Sequence, residues 1–300
     1  MSLQALYDVP APAKLNLFLH VVGRRPDGYH LLQSVFVLID WCDQLHFERR
    51  SDGRLQRHDL GPALPPDDLS LRAARALQQA SGTAFGADIS VLKQVPWGAG
   101  LGGGSSDAAS TLLALNRLWG LNWSRQQLMA LALPLGADVP FFIGGQPAWV
   151  EGIGEQLTPL PANVPLPQAY AVVKPAPAIA TASIFGSPLL ARDTKPAIVM
   201  SFLADASTQA TLLTGFGRND LQPPAEAACP DVTQVASWLE SRFGNSRMSG
   251  SGSAVFARIT AQAGTVDQPT ATRLLAAMPA NWVGRVCNSL ASHPLLGWAS

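Results

Sequence analysis

The sequence is poor in charged residues. Only 14% of its 300 residues are Asp, Glu, Lys or Arg, and the formal net charge at pH 7 is zero. It contains no block of basic residues, which argues against a nucleic-acid-binding or anionic-membrane-binding surface. Any polyanionic ligand must therefore be bound through local geometry rather than through a basic patch.

Cysteine and long apolar runs are also scarce. The three cysteines, Cys42, Cys229 and Cys287, are far apart and lack the spacing of metal ligands, which argues against a disulfide scaffold and favours reduced thiols. No apolar run approaches the roughly 20 residues of a membrane span, and the first residues show no signal-peptide pattern. We therefore expect a cytoplasmic protein that binds neither membranes nor nucleic acid.

Glycine, in contrast, is concentrated in one segment. Residues 98–104 contain five glycines, and the apolar spacing of an amphipathic helix follows from residue 108. The alternating residues 89–93 predict a strand before this segment, which Pro96 ends. A strand, a glycine loop and a helix in this order expose main-chain N–H groups at the positive end of the helix dipole. The segment therefore predicts a phosphate-binding site.

Other phosphate loops fit this segment less well. A Walker-type loop needs a lysine after its glycines, but Ser105 and Ser106 follow Gly104. Gly98, Gly100 and Gly103 match the dinucleotide-binding fingerprint, yet the acidic residue expected about 20 positions later is missing. A glycine-rich turn that merely lets a helix pack tightly is a further alternative, disfavoured by the entropy that glycine loses on folding.

Residues 13–21 alternate as a strand. The pattern places Lys14, Asn16, Phe18 and His20 on one face, with Lys14 and Asn16 about 7 Å apart along the strand. This face is either a half-solvated sheet surface or part of a site. The Pro-Asp-Gly sequence that follows predicts a tight turn directly before Tyr29 and His30, which are either ligand contacts or ordinary loop residues.

Two further segments carry polar or flexible residues in unusual settings. Asp138 stands inside the apolar run 135–143, where a carboxylate is typical either of a helix N-cap or of a general base. Residues 249–253 read Ser-Gly-Ser-Gly-Ser, a composition typical of linkers. Because a strand-like segment follows at once, a second glycine loop next to the first is the other interpretation.

These four segments together resemble the GHMP kinases, the superfamily of galactose, homoserine, mevalonate and phosphomevalonate kinases. The resemblance extends from residue 12 to about residue 295. It implies an α+β fold of two domains, with an N-terminal ATP-binding domain over residues 1–155 and a C-terminal domain over residues 165–300. The proline-rich residues 159–167 would link them, and the active site would lie in the cleft between them.

The resemblance also implies the roles of individual residues. Lys14 and Asp138 would be the catalytic pair that directs a substrate hydroxyl at ATP, and their joint presence disfavours a non-catalytic nucleotide-binding module. Mg²⁺ is expected with ATP, with Ser105 and Ser106 as candidate ligands. Asp68 stands where the family often has asparagine near the adenine, so no adenine contact is assigned there. The predicted ATP-binding residues are Lys93, Pro96, Gly98, Gly100, Leu101, Gly102, Gly103, Gly104, Ser105 and Ser106.

The turn at residues 23–30 points to one branch of this superfamily. It is similar to the turn of members that phosphorylate the 2-hydroxyl of a cytidine diphosphate-linked methylerythritol in the non-mevalonate route to isoprenoids. This implies that Tyr29 and Phe185 stack on the cytosine, that the His30 backbone reads the base edge, and that Asn16 binds the polyol. A homoserine-type or mevalonate-type kinase is the alternative. We expect a monomer or a weak homodimer.

Overall fold

The computed structural model describes residues 3–198, 202, 204–259 and 268–300. Its strands are β1 (Ala5–Arg24), β2 (His30–Arg50), β3 (Leu55–Asp59), β4 (Gly86–Leu92), β5 (Ala148–Glu151), β6 (Gln156–Pro159), β7 (Ala169–Lys174), β8 (Arg247–Met248), β9 (Val255–Ile259) and β10 (Val283–Leu290). Its helices are α1 (Leu69–Ser81), α2 (Gly103–Leu118), α3 (Arg125–Ala132), α4 (Val139–Gly144), α5 (Thr181–Phe185), α6 (Ala206–Thr214), α7 (Gln222–Ala228), α8 (Pro230–Phe243) and α9 (Gln268–Ala276).

Within the described residues, the strands of both halves of the chain form one ten-stranded sheet in the order β3-β4-β2-β10-β7-β9-β8. In addition, β1 and β5 each pair with β2, and β6 pairs with β5. The halves join where β10 pairs antiparallel with β2, through Ser289 opposite Ile39. β3 and β4 run parallel, and the other pairs are antiparallel. This mixed sheet with covering helices confirms the predicted α+β class.

Three apolar cores hold the layers together. One lies between β2, β4 and the helices α1, α2 and α4, with Leu77, Leu112 and Phe141 among its buried residues. A second packs α7 and α8 on β7 and β9. The third contains residues of β1 and β2 together with residues of β7 and β9. Because burial of apolar surface is the main stabilising contribution, this third core fixes one half of the chain against the other.

A β-bulge changes the faces of β1. The register moves from Asn16 opposite Phe36 to Leu19 opposite Ser34, so β1 contains one more residue than β2 over this stretch. After the bulge, Leu19 shares the face of Asn16, whereas Phe18 is buried with Leu15 and Leu17 in the third core. The prediction that Phe18 and His20 lie on the same face as Lys14 is therefore wrong. Side chains alternate between the two faces of a strand, so one inserted residue moves all later side chains to the opposite face.

The local predictions around the glycine segment are confirmed. β4 precedes it, α2 follows it, and Gly102 is the N-cap residue with a left-handed φ of 71°. The left-handed Gly120 follows the end of α2. Ser124 and Gln127 form a capping box at α3. In the part of the chain that the structure describes, no helix is long and apolar enough to cross a membrane.

Candidate active site

Lys14 and Asp138 form an ion pair at the centre of the candidate site. The Lys14 Nζ atom lies 3.5 Å from Asp138 Oδ2, and it donates to Asn16 Oδ1 at 2.5 Å. It also lies 4.7 Å from the centre of the Phe36 ring, within the range of a cation–π contact. The structure therefore brings together the two residues that the sequence predicts as the catalytic pair.

Lys14 is only 3% exposed. Burial lowers the pKa of Lys14 below its usual value, and the attraction of Asp138 offsets only part of this effect. A weakly hydrated cation beside a carboxylate interacts strongly with any anion that enters the site. The alternative of a half-solvated sheet surface is wrong for this face of β1, because Lys14 and Asn16 are both buried.

Asp138 occupies the N-cap position of α4, yet its side chain makes no capping hydrogen bond. The side chain is 30% exposed and borders an open cavity together with Lys14 and Gly154. The N-cap interpretation is thus correct for the position and wrong for the side chain. A carboxylate that makes no capping hydrogen bond and faces a cavity is available to accept a proton from a ligand.

Asn16 is buried beneath this pair. Its Oδ1 accepts from Lys14, and its Nδ2 donates to Ser34 Oγ at 3.1 Å. Ser34 Oγ in turn donates to the carbonyl oxygen of Phe18 at the bulge. Asn16 therefore orients the lysine, and its predicted contact with a polyol stays a prediction. Ser34 was missed by sequence reasoning, because a lone serine in a strand carries no recognisable signal.

The two glycine segments touch. A Cβ atom on Gly100, which has a φ of +72°, would lie 2.1 Å from the carbonyl oxygen of Ser249. The Ala254 N–H donates to the Ala99 carbonyl at 3.1 Å, and Ser249 Oγ donates to the Gly100 carbonyl at 3.0 Å. The linker interpretation of residues 249–253 is wrong, because these bonds fix the second loop against the first.

Three main-chain N–H groups at the start of α2 have no acceptor within the helix, as at any helix N-terminus. They belong to Gly103, Gly104 and Ser105. The Ser106 N–H already donates to the Gly102 carbonyl at 2.9 Å, and the Ser106 side chain is fully buried. The local geometry therefore favours Gly103, Gly104 and Ser105 over Ser106 for binding an anion.

Lys93 lies in a buried cluster behind this loop. Its ammonium binds Asp107 at 2.5 Å and also contacts Asp43. Burial opposes its charge, but Asp107 and Asp43 outweigh this and raise the pKa of Lys93. Burial raises the pKa of Asp107 above its usual value, although Lys93 opposes this effect. The alternative of a solvated strand-end lysine is wrong, and the predicted contact of Lys93 with ATP stays a prediction.

The cavity at the Lys14–Asp138 pair has a volume of about 260 Å³. Glycines of both loops form part of its wall, so side chains do not fill the space beside the main chain. These glycines are Gly98, Gly100, Gly102, Gly250 and Gly252. Of the other predicted ATP-binding residues, Pro96 and Leu101 flank these wall glycines, and the buried Leu101 accepts from the Lys14 N–H at 2.9 Å.

A second cavity of about 550 Å³ adjoins the first, and residues such as Leu32, Ile153 and Phe185 line both. Tyr29 and His30 lie in its wall. The Phe185 and His30 rings stack with centroids 5.1 Å apart, which leaves no room for a base between them. A planar ligand must therefore use the free face of Phe185, and Tyr29, 60% exposed, is the remaining aromatic side chain in the described wall.

Two family profiles match this chain. The GHMP kinases N terminal domain matches residues 68–146, and the GHMP kinases C terminal domain matches residues 200–284. The chain belongs to the GHMP kinase family. It is an ATP-dependent small-molecule kinase, as the resemblance of its motifs implied.

Curated relatives of this GHMP kinase are similar over the whole chain. One from Methylibium petroleiphilum is 65% identical over 300 residues, which is 100% of both chains. Another from an Acidovorax species is 58% identical over 297 residues, or 99% of each chain. Both carry the name 4-diphosphocytidyl-2-C-methyl-D-erythritol kinase.

Solved structures give the same family. A crystal structure of 4-(cytidine 5'-diphospho)-2C-methyl-D-erythritol kinase is 34% identical, with a TM-score of 0.74 over 93% of this chain and 98% of that chain. A homoserine kinase from Cytophaga hutchinsonii is 17% identical, with a TM-score of 0.68 over 97% of this chain and 95% of that chain. At that lower identity, the second similarity shows the fold alone.

The GHMP kinase fold also explains Asp68, which departs from the family pattern. Asp68 is the N-cap of α1, and its carboxylate accepts from the Ser70 and Leu71 N–H groups. It pairs with Arg57 at 2.7 Å. The carboxylate thus has partners of its own within the protein, and these stabilise the start of α1.

Proposed function

We propose that this chain transfers the γ-phosphoryl group of ATP to the 2-hydroxyl of 4-diphosphocytidyl-2-C-methyl-D-erythritol, a step of non-mevalonate isoprenoid precursor biosynthesis. The observation that most strongly supports this proposal is the pair of adjoining cavities. One holds Lys14 and Asp138, and the other has the aromatic wall of Tyr29 and Phe185. A substrate with a reactive alcohol at one end and a base at the other matches this arrangement, and the names of the relatives agree with it.

The chemistry follows from the geometry of the pair. In phosphoryl transfer, a protein contributes chiefly positioning and charge stabilisation. Asp138 accepts the proton of the 2-hydroxyl as that oxygen attacks the terminal phosphorus. Lys14, held by Asn16 at 2.5 Å, stabilises negative charge on the moving phosphoryl group. The nucleotide leaves as ADP with the electron pair of the broken P–O bond.

The phosphates of ATP would be bound by the main chain. The N–H groups of Gly103, Gly104 and Ser105 point out of the N-terminus of α2, where the helix dipole favours negative charge. The wall glycines let the phosphates approach the backbone without meeting a side chain. No basic patch is needed, which agrees with the zero net charge.

Mg²⁺ belongs to this proposal through ATP. In the part of the chain that the structure describes, no group of three or more His, Cys, Asp or Glu side chains has the arrangement of a metal site. We therefore expect Mg²⁺ to be held mainly by phosphate oxygens and water, as is common for this ion. Ser105 is the better candidate for a protein ligand, because Ser106 is fully buried.

We also propose domains at residues 1–155 and 165–300, in a cytoplasmic protein that works as a monomer or a weak homodimer. The two profile matches each fall within one of these ranges. The stretch at residues 159–167 would be the link between them. The size of the purified protein and limited proteolysis around residue 163 would test these points.

An ATP-consumption assay with three alcohols tests the function. The cytidyl substrate should be turned over, whereas mevalonate and homoserine, which have no base to stack, should give no more than background. The product should carry its new phosphate on the 2-oxygen, as ³¹P and ¹³C NMR would show. Turnover of homoserine or mevalonate in preference to the cytidyl compound would favour the alternative kinase types and reject this proposal.

A further inference from the structure

Arg192 lies behind the aromatic wall of the second cavity, in the segment after α5. Its Nε–H donates to His30 Nε2 at 3.1 Å. Its Nη2 atom donates to the carbonyl oxygens of Phe185 at 3.0 Å and Ser187 at 2.9 Å. Nη1 donates to the Leu190 carbonyl at 3.1 Å. All three nitrogens of the guanidinium are thus engaged. One bonds the His30 ring, and another bonds the main chain of Phe185, whose ring stacks on His30.

The bond to His30 has a chemical consequence. A guanidinium can only donate hydrogen bonds, so His30 Nε2 must be the acceptor and the ring proton must lie on Nδ1. Burial, with the positive charges of Arg192 and Arg24, lowers the pKa of His30. The charged groups around this ring are Arg192 after α5, Arg24 at the end of β1, and Asp27 in the exposed turn, where it pairs with Arg25 at 2.6 Å. His30 is therefore held neutral and in one tautomer.

The bond to Phe185 has a mechanical consequence. α5 is a single short helix of five residues that ends at Phe185, and the last carbonyls of a helix lack intrahelical partners. Arg192 supplies a donor to one of them and at the same time binds His30 at the start of β2. One side chain thus connects the first half of the chain to the second half at the wall of the pocket.

We propose that Arg192 is a positioning residue of the nucleoside pocket, which fixes the His30 tautomer and, through the Phe185 carbonyl, holds the end of α5 so that the free face of the Phe185 ring is presented to a base. This inference rests on the proposed function, because it assumes that a cytosine occupies the second cavity. Arg192 itself need not touch the substrate. Its fork of parallel donors explains why a lysine, which is a single point charge, would not replace it.

The test compares Arg192→Ala and Arg192→Lys with the unchanged protein. We expect KM for the cytidyl substrate to rise about tenfold in both variants, as for the loss of a hydrogen bond to a charged group. kcat at saturation and KM for ATP should stay within about twofold, because the catalytic pair lies in the other cavity. Arg242→Ala is the matched control, since Arg242 donates to the Trp238 carbonyl at 3.3 Å on α8 and should leave all three constants unchanged.

A spectroscopic readout separates positioning from a general loss of structure. ¹⁵N NMR of the His30 ring should show an unprotonated Nε2 in the unchanged protein and an exchange of tautomers, or an Nε2–H form, in both Arg192 variants. Thermal melts of the variants show whether they fold. A protonated Nε2 in the unchanged protein, or variants with an unchanged KM for the cytidyl substrate, would overturn the inference.

Failure of the proposed function gives a different result. If the unchanged protein does not phosphorylate the cytidyl substrate, the kinetic comparison has no basis and the inference about a nucleoside pocket is overturned with it. The tautomer of His30 would still follow Arg192 in that case. If the unchanged protein phosphorylates the cytidyl substrate and the Arg192 variants have the same KM for it, the proposed function stands and the role of Arg192 is rejected.

Discussion

The Nζ atom of Lys14 and the Oδ2 atom of Asp138 lie 3.5 Å apart, although one residue belongs to β1 and the other to the start of α4. The lysine is buried and held by Asn16, whereas the carboxylate is partly exposed and faces the cavity. This asymmetry supports the proposed roles, because the anchored ammonium is suited to stabilise charge and the accessible carboxylate to take a proton.

Asp138→Asn keeps the shape of the side chain and removes its basicity. We expect kcat to fall roughly 10²–10⁴-fold, the usual contribution of general acid–base catalysis, while the affinity for ATP stays within about twofold. Steady-state kinetics and a nucleotide-binding titration check this. Near-normal turnover in this variant would remove Asp138 from the mechanism.

Tyr29→Ala tests the stacking wall without disturbing the core, because Tyr29 is 60% exposed. Loss of one base–aromatic stack should cost about 1–3 kcal/mol, seen as a rise of roughly 5-fold to 150-fold in KM for the cytidyl substrate. Tyr7→Ala is the matched control, since Tyr7 is 61% exposed at the far end of β1. Equal KM values in the two variants would argue that the base does not stack on Tyr29.

Phe185→Ala should raise the same KM over a similar range, with Phe185→Trp retaining affinity because it keeps an aromatic face. Phe185 also packs against the second core, so melting temperatures must be measured with the kinetics. A variant that loses stability but keeps its KM would reassign Phe185 to the core.

Gly104→Ala separates stability from phosphate binding. A Cβ there would meet only Leu69 Cδ1 at 3.7 Å, an ordinary contact, and alanine favours a helix by about 1 kcal/mol over glycine. The melting temperature should therefore hold or rise, while KM for ATP rises about tenfold because the methyl group occupies space beside the phosphates. Gly144→Ala on α4, which meets nothing within 4 Å, should leave KM for ATP unchanged. An unchanged KM for ATP in Gly104→Ala would place the phosphates elsewhere.

Lys93→Met should destabilise the fold, because it leaves Asp43 and Asp107 buried without their shared cation. Removing one partner of a buried ion pair typically costs about 3–5 kcal/mol, which urea unfolding would measure. Asp107→Asn is the control, since it retains the Lys93–Asp43 pair and should change stability by less than about 1 kcal/mol. Unchanged stability in Lys93→Met together with a raised KM for ATP would instead support a contact with the nucleotide.

His293 should make the fold sensitive to acid. Burial lowers the pKa of His293 to about 3, and its Nδ1 accepts from the Leu295 N–H at 3.1 Å. Below the ordinary histidine pKa of about 6.5, this histidine binds a proton in the unfolded chain but not in the folded chain. The free energy of unfolding therefore falls as the pH falls from about 6.5 to about 3, by up to about 1.4 kcal/mol per pH unit. His293→Asn, which keeps an acceptor, should flatten urea-unfolding stability over this range, unlike His58→Asn at an exposed position. A slope equal to that of the unchanged protein would contradict the role of His293.

Several residues of the candidate site could be predicted from the sequence because their signals are local. The order of β4, the glycine segment and α2 follows from periodicity and from Pro96. Lys14 and Asp138 were identified because of the motifs around them. Other features left no local signal. Arg192 is one arginine among many, and Asp43 and Asp107 meet Lys93 only through the pairing of β2 with β4 and the packing of α2.

The sequence by itself determined the class of protein, because glycine placement, strand and helix periods and the lack of a basic block are properties of neighbouring residues. Tertiary structure decided which side chains share the site. The bulge in β1 brings Leu19 to the cavity and takes Phe18 away from it. The alternation of apolar and polar residues along the sequence does not reveal where such an extra residue is inserted. The contact between the glycine loops and the hydrogen bond from Arg192 to His30 likewise depend on long-range packing, which local sequence patterns do not encode.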